Sequence, residues 1–404
     1  MHTYDCIIAG GGLAGAMAGI LLKKKGWKVL ILEKSRYPRQ KVCGEFLSPA
    51  VLPLLKQAEV LHLLKENSAN EIDTVSLFWP SQKPIHTQLA VSSPEPFSAY
   101  GISRETLDDA LLQEAQRQGC TVAQNQEAVR IEKTENNTSP FSVHARNSFQ
   151  AEIGYSSRLV INAAGKQNRW EDQKRQRGPR YFGFKAHFRN IPTGRATELY
   201  FFEGGYLGIL EVENGLSNIC GKVKEKQLKE TQGNFDLLLI NACRQNPELA
   251  VRMKEAKRES DWVSCGPLAE GFKQGYKNGV FYAGDAACFV EPFLGQGMTL
   301  ALASGFLLNA VLTRLPKDEN ELNQQGDIYE KNLKVLYRSK MNLGRFFNPF
   351  GFSLILGFFL RQFFSMFPAA LDSLLQKTCA LHEEKSSLKN CFIIPQERLS
   401  ASAL

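Results

Sequence analysis

The 404-residue chain has no Cys-x-x-Cys pair and no His-x-x-x-His or similar spacing among its six His. It therefore offers no metal site, structural or catalytic. Its nine cysteines, Cys6, Cys43, Cys120, Cys220, Cys243, Cys265, Cys288, Cys379 and Cys391, are scattered and odd in number. That argues against a disulfide framework and suits a reducing cytoplasm. No stretch reaches the roughly 18 apolar residues of a spanning helix. The apolar run Cys6 to Leu22 is Gly-rich, follows Asp5 and has no basic segment before it, so it does not read as a signal peptide. There is no repeat, no low-complexity linker, no nucleophile–base triad and no nucleic-acid-binding motif, and nucleic acid is not expected as a partner.

What is present is globular: 43% hydrophobic, 22% charged, 10% aromatic, with 32 Gly and 17 Pro. The length suits roughly two to three domains, or one large α/β domain with an insertion. The net charge of +8 is mild. The densest basic stretch runs from Lys166 to Arg180, where Arg169, Lys174, Arg175 and Arg177 face only Glu171 and Asp172. It reads either as a solvated loop or as a contact for an anion, such as a nicotinamide phosphate or an acidic membrane surface.

The chain opens as strand, turn, helix, strand. Tyr4 to Ala9 is a short apolar run suited to a buried parallel strand, and Leu13 to Lys25 is an Ala- and Leu-rich helix stopped by Gly26. Lys28 to Glu33 is the second strand. Helical pattern returns near Ala50 to Leu64 and at Ser103 to Gly119, where Ser103 is the expected N-cap. Strands are expected at Thr74 to Trp79, His86 to Val91 and Arg158 to Ala164. From Tyr181 to Lys224 the period falls to two, which predicts antiparallel sheet. Two short helices are expected within 235–256. Val280 to Ala283 is a strand running into Gly284-Asp285, followed by a helix from Gly297 to Leu315.

Gly10-x-Gly12-x-x-Gly15 lies between a strand and a helix. Gly10 permits the tight turn, Gly12 lets a diphosphate approach the backbone, and Gly15 lets the helix pack closely. Leu13 and Ala14 open the helix, whose free N–H groups favour an anion. Glu33 ends the second strand, where a carboxylate accepts hydrogen bonds from ribose hydroxyls and repels a 2′-phosphate. These residues predict a dinucleotide site without separating FAD from NAD.

Gly284-Asp285-Ala286-Ala287, followed by Pro292 and Gly295-Gln296-Gly297-Met298, resembles the Gly-Asp motif of the flavin hydroxylase and geranylgeranyl reductase superfamily. Pro38 to Pro49 is similar to the segment after the second strand in geranylgeranyl reductase-like flavoproteins. Ser103-Arg104-Glu105-Thr106-Leu107-Asp108 is similar to the superfamily's helix start, whose Arg reaches the cofactor. The resemblance extends to about residue 310. It implies FAD as cofactor, with Asp285 on the ribityl chain and the N–H groups of Gly295, Gln296 and Gly297 at the flavin's pyrimidine edge. It adds Lys34, Arg36, Cys43, Arg104, Gly284 and Met298 to the cofactor-binding candidates. Cys43 reads either as a group near the flavin or as a small packing residue, Glu45 as a site acid or a solvated one, and Arg36 as an adenosine contact or an exposed side chain. Cys43, Glu45 and Tyr206 are the candidates for the reacting end.

The implied fold is α/β: a Rossmann-like FAD-binding domain (1–75, 101–165, 266–320) interrupted by an antiparallel-sheet substrate domain (76–100, 166–265), with a helical, Phe-rich C-terminal region (321–404). The implied activity is that of an FAD-dependent oxidoreductase with NAD(P)H as reductant and a hydrophobic substrate: an isoprenoid, polyketide or alkyl-aromatic compound. Hydride transfer to C=C and peroxyflavin hydroxylation both remain open. A halogenase-like enzyme and a non-catalytic flavin-binding redox sensor are the alternatives.

The chain departs from each subfamily. Ala164-Gly165 stands where hydroxylases carry Asp-Gly. Gly205-Tyr206-Leu207-Gly208 lacks the Trp of the reductases' Tyr-x-Trp. The halogenases' Trp-x-Trp-x-Ile-Pro is missing, although Phe289-x-x-Pro292-x-x-Gly295-x-Gly297 approaches another halogenase-like pattern. Finally, Phe346 to Phe367 holds nine of the 26 Phe. Its longest charge-free stretch, Phe346 to Leu360, contains Asn348-Pro349 and is short for a span. It reads as core helices, as the lining of a greasy tunnel, or as a peripheral membrane contact with Arg345 and Arg361 at the interface.

Overall fold

The apolar run at the N-terminus becomes strand His2–Ala9, paired in parallel with Val29–Glu33 on one edge and Glu152–Asn162 on the other. Where that strand is paired on both edges and covered on both faces it has no wet side, which is why Cys6 to Ala9 is continuously apolar and buried. The computed structural model describes residues 2–89, 98–134, 140–166 and 179–381. Across this first sheet the order is Tyr276–Lys277, Val280–Tyr282, Glu152–Asn162, His2–Ala9, Val29–Glu33, Thr121–Gln124. Phe141–Asn147 and Gln126–Lys133 extend it as an antiparallel ribbon beside Glu152–Asn162. Helix Leu13–Lys24 packs against both Arg104–Arg117 and Gly297–Val311. Ser103 caps the second of these by accepting from Thr106 N. The third stops at Val311, short of the expected Leu315.

The second sheet runs Lys257–Arg258, Tyr181–Arg189, Ser217–Lys224, Gly205–Glu211, Ala196–Phe202, Thr74–Phe78, Ile85–Gln88, with Val263–Cys265 also on Tyr181–Arg189. Its pairs are antiparallel except Ala196–Phe202 with Thr74–Phe78, which is parallel. Phe184, Ala186 and Phe188 pack with Leu238, Leu239, Ala242 and Leu249 from helices Phe235–Gln245 and Pro247–Arg252. Lys185 and His187 point to the other face and are buried as well. This sheet therefore has no solvent side at that strand: its polar face meets the rest of the molecule.

The class read from the sequence holds: a parallel nucleotide sheet, an interrupting and largely antiparallel sheet, and a helical C-terminal region. The expected division after residue 75 cuts through strand Thr74–Phe78, which joins the second sheet from Thr74 onward. The strand expected over His86 to Val91 is Ile85–Gln88; residues 90–91 lie outside the described residues. So do residues 167–178 of the basic stretch, and Cys391. After Asp318 caps it, helix Glu319–Phe347 runs for 29 residues and breaks at Asn348-Pro349. Leu354–Met366 then continues at 116° to it, followed by Pro368–Cys379. Among the described residues no single helix is long and apolar enough to cross a membrane.

Candidate active site

The chain leaves the first strand at Gly10, whose φ of +105° is a backbone state that favours glycine. A Cβ there would lie 2.3 Å from Ala163 O, and one on Gly15 would lie 1.9 Å from Gly10 O. Both glycines are demanded by packing. Gly12 is different. Its φ is −75°, and a Cβ there would meet only Lys41 Nζ, at 3.4 Å. Gly12 caps helix Leu13–Lys24, which has no side-chain cap and no acid in its first turn. Its first N–H groups and positive dipole end are thus left for an anion.

Glu33 is buried at the end of the second strand. Its Oε2 accepts from Gly11 N at 2.8 Å and its Oε1 from Ser35 N at 3.0 Å. Each oxygen keeps acceptor capacity for a hydroxyl. Beyond it the sequence reading needs correction: Arg36 is exposed and does not line the site, whereas Arg39 and Lys41 do. Asp108 fixes both Arg104, bidentately at 2.9 and 2.8 Å, and Lys41, whose ammonium also donates to Tyr37 OH at 2.5 Å. Burial lowers the Lys41 ammonium to about 8 against the pull of Asp108. Burial opposes ionisation of Asp108 too, but Arg104 and Lys41 hold its carboxyl below the ordinary range.

The second turn meets the first because their strands, His2–Ala9 and Val280–Tyr282, flank the same strand, Glu152–Asn162. Ala163 N donates to Ala9 O, and Ala283 N to Asn162 O. A Cβ on Gly284 would lie 3.2 Å from Ala14 Cβ. Gly295, at φ +65°, backs onto the Phe46 ring, and Gln296 caps helix Gly297–Val311. That helix start also has no side-chain cap and no acid in its first turn. Among the described residues nothing lies within 4 Å of a Cβ built on Gly297, and Gln296 Oε1 is buried without a hydrogen-bond partner. Gly10, Gly12, Leu13, Ala14, Glu33, Lys34, Cys43, Glu45, Arg104, Tyr206, Gly284, Asp285, Gly295, Gln296, Gly297 and Met298 line a single cavity of about 2090 Å³. Gly15 lies outside this lining.

Residues 3–178 match the FAD binding domain family. The protein carries an FAD-binding domain over these residues, and its relatives fall in the flavin hydroxylase-like superfamily. It is 24% identical to conditioned medium factor receptor 1 of Dictyostelium discoideum, over 93% of this chain and 74% of that protein. It is 23% identical to the digeranylgeranylglycerophospholipid reductase of Methanococcus vannielii, over 84% of this chain and 85% of the reductase. Its fold superimposes on that of the flavin-dependent brominase Bmp2 with a TM-score of 0.76, at 18% identity, over 96% of this chain and 97% of the brominase.

The residues of the flavoprotein fit FAD. Two uncapped helix starts face one groove, Gly12 and Gly297 leave room beside their backbones, and the buried Gln296 oxygen lacks a partner. The cavity also exceeds the roughly 300–1,000 Å³ of a common ligand site, leaving space for a second molecule.

Two buried ion clusters flank that space. Glu45, at φ +58°, accepts from Lys185 Nζ, from His187 Nε2 at 2.7 Å and from Arg104 N at 2.8 Å. Burial opposes its charge, yet Lys185 and His187 hold its carboxyl below the usual range. The sequence left Glu45 open between a site acid and a solvated one; it is fully buried, on the cavity wall. Cys43 also lines the cavity, its Sγ accepting from Glu45 N at 3.4 Å and its carbonyl from Asn218 Nδ2 at 2.9 Å. In the second cluster Glu291 accepts from Tyr206 OH at 2.9 Å and from Lys222 Nζ at 2.5 Å, and Lys222 also bonds Glu270. Burial pushes the Glu291 carboxyl up to about 7 against the pull of Lys222, and Glu270 adds to the rise. Arg39, Lys41, Lys185, His187, Lys222, Glu270 and Glu291 were not among the sequence candidates. The only sequence signal for Lys185, His187 and Lys222 is their alternation with apolar residues, which ordinarily marks a wet face.

Proposed function

We propose that the flavoprotein is an FAD-dependent oxidoreductase that draws electrons from NAD(P)H and acts on a bulky hydrophobic small molecule. One observation carries the reading. The cavity runs without interruption from the cofactor groove to an apolar chamber lined by Val75, Leu77, Trp79, Leu199, Phe347, Leu360, Phe364, Leu371 and Leu374. These side chains come from the second sheet and from the C-terminal helices, so the chamber is built where the two parts meet.

Gly12, Leu13 and Ala14 would hold the diphosphate, Glu33 the adenosine ribose, Asp285 the ribityl chain, and Gly295, Gln296 and Gly297 the pyrimidine edge. When bound, FAD supplies the two-electron chemistry. The chain supplies position, charge and dryness. The start of helix Gly297–Val311 favours negative charge at the groove's far end. The apolar walls exclude water from the reacting face. Tyr206, Lys222 and Glu270 reach the cavity wall, and behind them Glu291 holds a proton near neutral pH. A proton held there suits saturation of a C=C bond, which takes up one hydride and one proton, and we favour that reaction over oxygen or halogen insertion.

The test starts with the visible spectrum. Retained flavin should give a band near about 450 nm, a property of the cofactor itself. Anaerobic NADH or NADPH should bleach it, and a polyprenyl substrate should restore it with loss of a double bond. A protein that neither retains nor takes up FAD overturns the reading. Bleaching by neither nicotinamide overturns only the electron donor. An oxygenated or halogenated product replaces saturation with the second chemistry, and absence of turnover with any substrate class leaves a redox sensor in its place.

A further inference from the structure

The helix Leu354–Met366 is apolar on both sides. Gly357, Leu360 and Phe364 face inward: Leu360 and Phe364 line the chamber, and a Cβ on Gly357 would lie 2.7 Å from Trp79 Nε1. On the other side Ile355, Phe358, Phe359, Phe363 and Met366 recur every three or four residues and are exposed, Ile355 by 72%, Phe359 by 63% and Met366 by 67%. Phe346, at the corner before this helix, and Phe367 after it extend the same exposure. A surface helix of a protein surrounded by water carries polar residues on its outer face. Large contiguous apolar exposure marks an interaction site.

The charge pattern identifies what covers it. From Lys331 to Leu371 the chain has no Asp or Glu; Lys331, Lys334, Arg338 and Arg345 are exposed and Arg361 is half-buried, Lys334 being paired with Glu330, while Lys340 is buried against Lys377 O. Lys331, Arg338 and Arg345 follow one another at seven-residue spacing and are all exposed, and Arg345 adjoins exposed Phe346. Phe side chains beside a row of cations are the composition of a helix lying in the plane of a membrane interface. A second copy of the chain fits less well, because a two-fold interface would bring the same cations together.

We propose that the Leu354–Met366 helix and the Phe346 corner seat the flavoprotein on an anionic lipid bilayer, with the helix in the plane of the interface. The 116° bend between Glu319–Gly351 and Leu354–Met366 turns the Phe-rich helix away from the long helix so that it can lie flat. Only one helical layer then separates bilayer from chamber, since Leu360 and Phe359 are on the same helix. That the substrate enters from the bilayer rests on the proposed function; the docking does not.

The test is co-sedimentation of the FAD-loaded full chain with vesicles of phosphatidylcholine alone, or of phosphatidylcholine and phosphatidylglycerol in equal parts. Binding to the anionic vesicles should exceed that to the neutral ones by about tenfold and weaken in high salt. Phe359→Ser with Met366→Ser should lower it about tenfold or more with flavin content unchanged. Arg345→Glu, at an exposed position, should lower it about fivefold or more and serves if the double variant fails to fold. Protein left in the supernatant with both vesicles, or variants that bind as well as the wild type, overturns the proposal. If vesicles are ignored and the double variant converts a dimer to a monomer, the face belongs to a second copy and the proposal is likewise overturned.

Discussion

Gly12 and Gly15 belong to one motif, but the structure gives them opposite jobs, and substituting each with Ala separates them. A Cβ on Gly15 would sit 1.9 Å from Gly10 O, a backbone atom that cannot swing aside. Gly15→Ala must push the helix from the strand, and overpacking of this kind costs about 1–3 kcal/mol. A Cβ on Gly12 meets only the end of a lysine, at 3.4 Å, and Gly12 already has an ordinary φ of −75°. Gly12→Ala should therefore leave the apoprotein within about 1 kcal/mol of wild type. Its methyl group instead occupies the approach to the helix's free N–H groups. Losing one charge-assisted hydrogen bond there costs about 1.5–3 kcal/mol, which is a loss of FAD affinity of about 10- to 150-fold. Thermal unfolding of the two apoproteins and fluorescence titration with FAD measure both quantities. A Gly12→Ala protein that binds FAD like the wild type, beside a Gly15→Ala protein of undiminished stability, would refute this division of labour.

Three further predictions concern the cavity wall and the carboxyl group behind it. Glu45→Ala leaves the buried Lys185 without its carboxylate and should cost about 3–5 kcal/mol in denaturant unfolding; a loss below about 1 kcal/mol contradicts the cluster. Glu291 is shifted from an ordinary value of 4.5 up to about 7, so the folded state binds more protons than the unfolded one between those values. Its contribution is thus fully present below the unfolded value and falls away as pH rises through that window. Glu291→Gln should flatten the melting temperature across that range, and an unchanged slope assigns it elsewhere. Leu360→Trp should fill part of the chamber, raising the KM for a hydrophobic substrate while flavin content stays the same; equal loss of flavin would mean that the chamber is not separate from the groove.

Much of the cofactor groove could be read from local sequence because its parts are local. A tight turn, a helix start and a strand-end carboxylate each carry their own residue signature within a few positions, as Gly10 to Gly15 and Glu33 do. The loop after the second strand has no period, so nothing in the sequence distinguishes the exposed Arg36 from Arg39 and Lys41 on the wall. The ion clusters were hidden for another reason. Lys185 and His187 alternate with Phe184, Ala186 and Phe188 as a wet face would, and only the tertiary fold brings Glu45, about 140 residues earlier in the chain, against them. Period-two patterning reports which residues share a side, not what covers that side.

The strand pairings also set the order in which the chain can fold. Thr74 pairs locally with Gln88 but finds its second sheet neighbour only at Ala196, and Val160 of the central parallel sheet finds one of its neighbours only at Val280. During synthesis the early hairpin and the half-built sheet must wait with open edges while most of the molecule is still being made. Long waits with exposed edges slow folding and invite misassembly. A fragment ending before Ala196 should therefore collect as aggregate, and recovery of the whole protein should depend on slow translation, low temperature or chaperones.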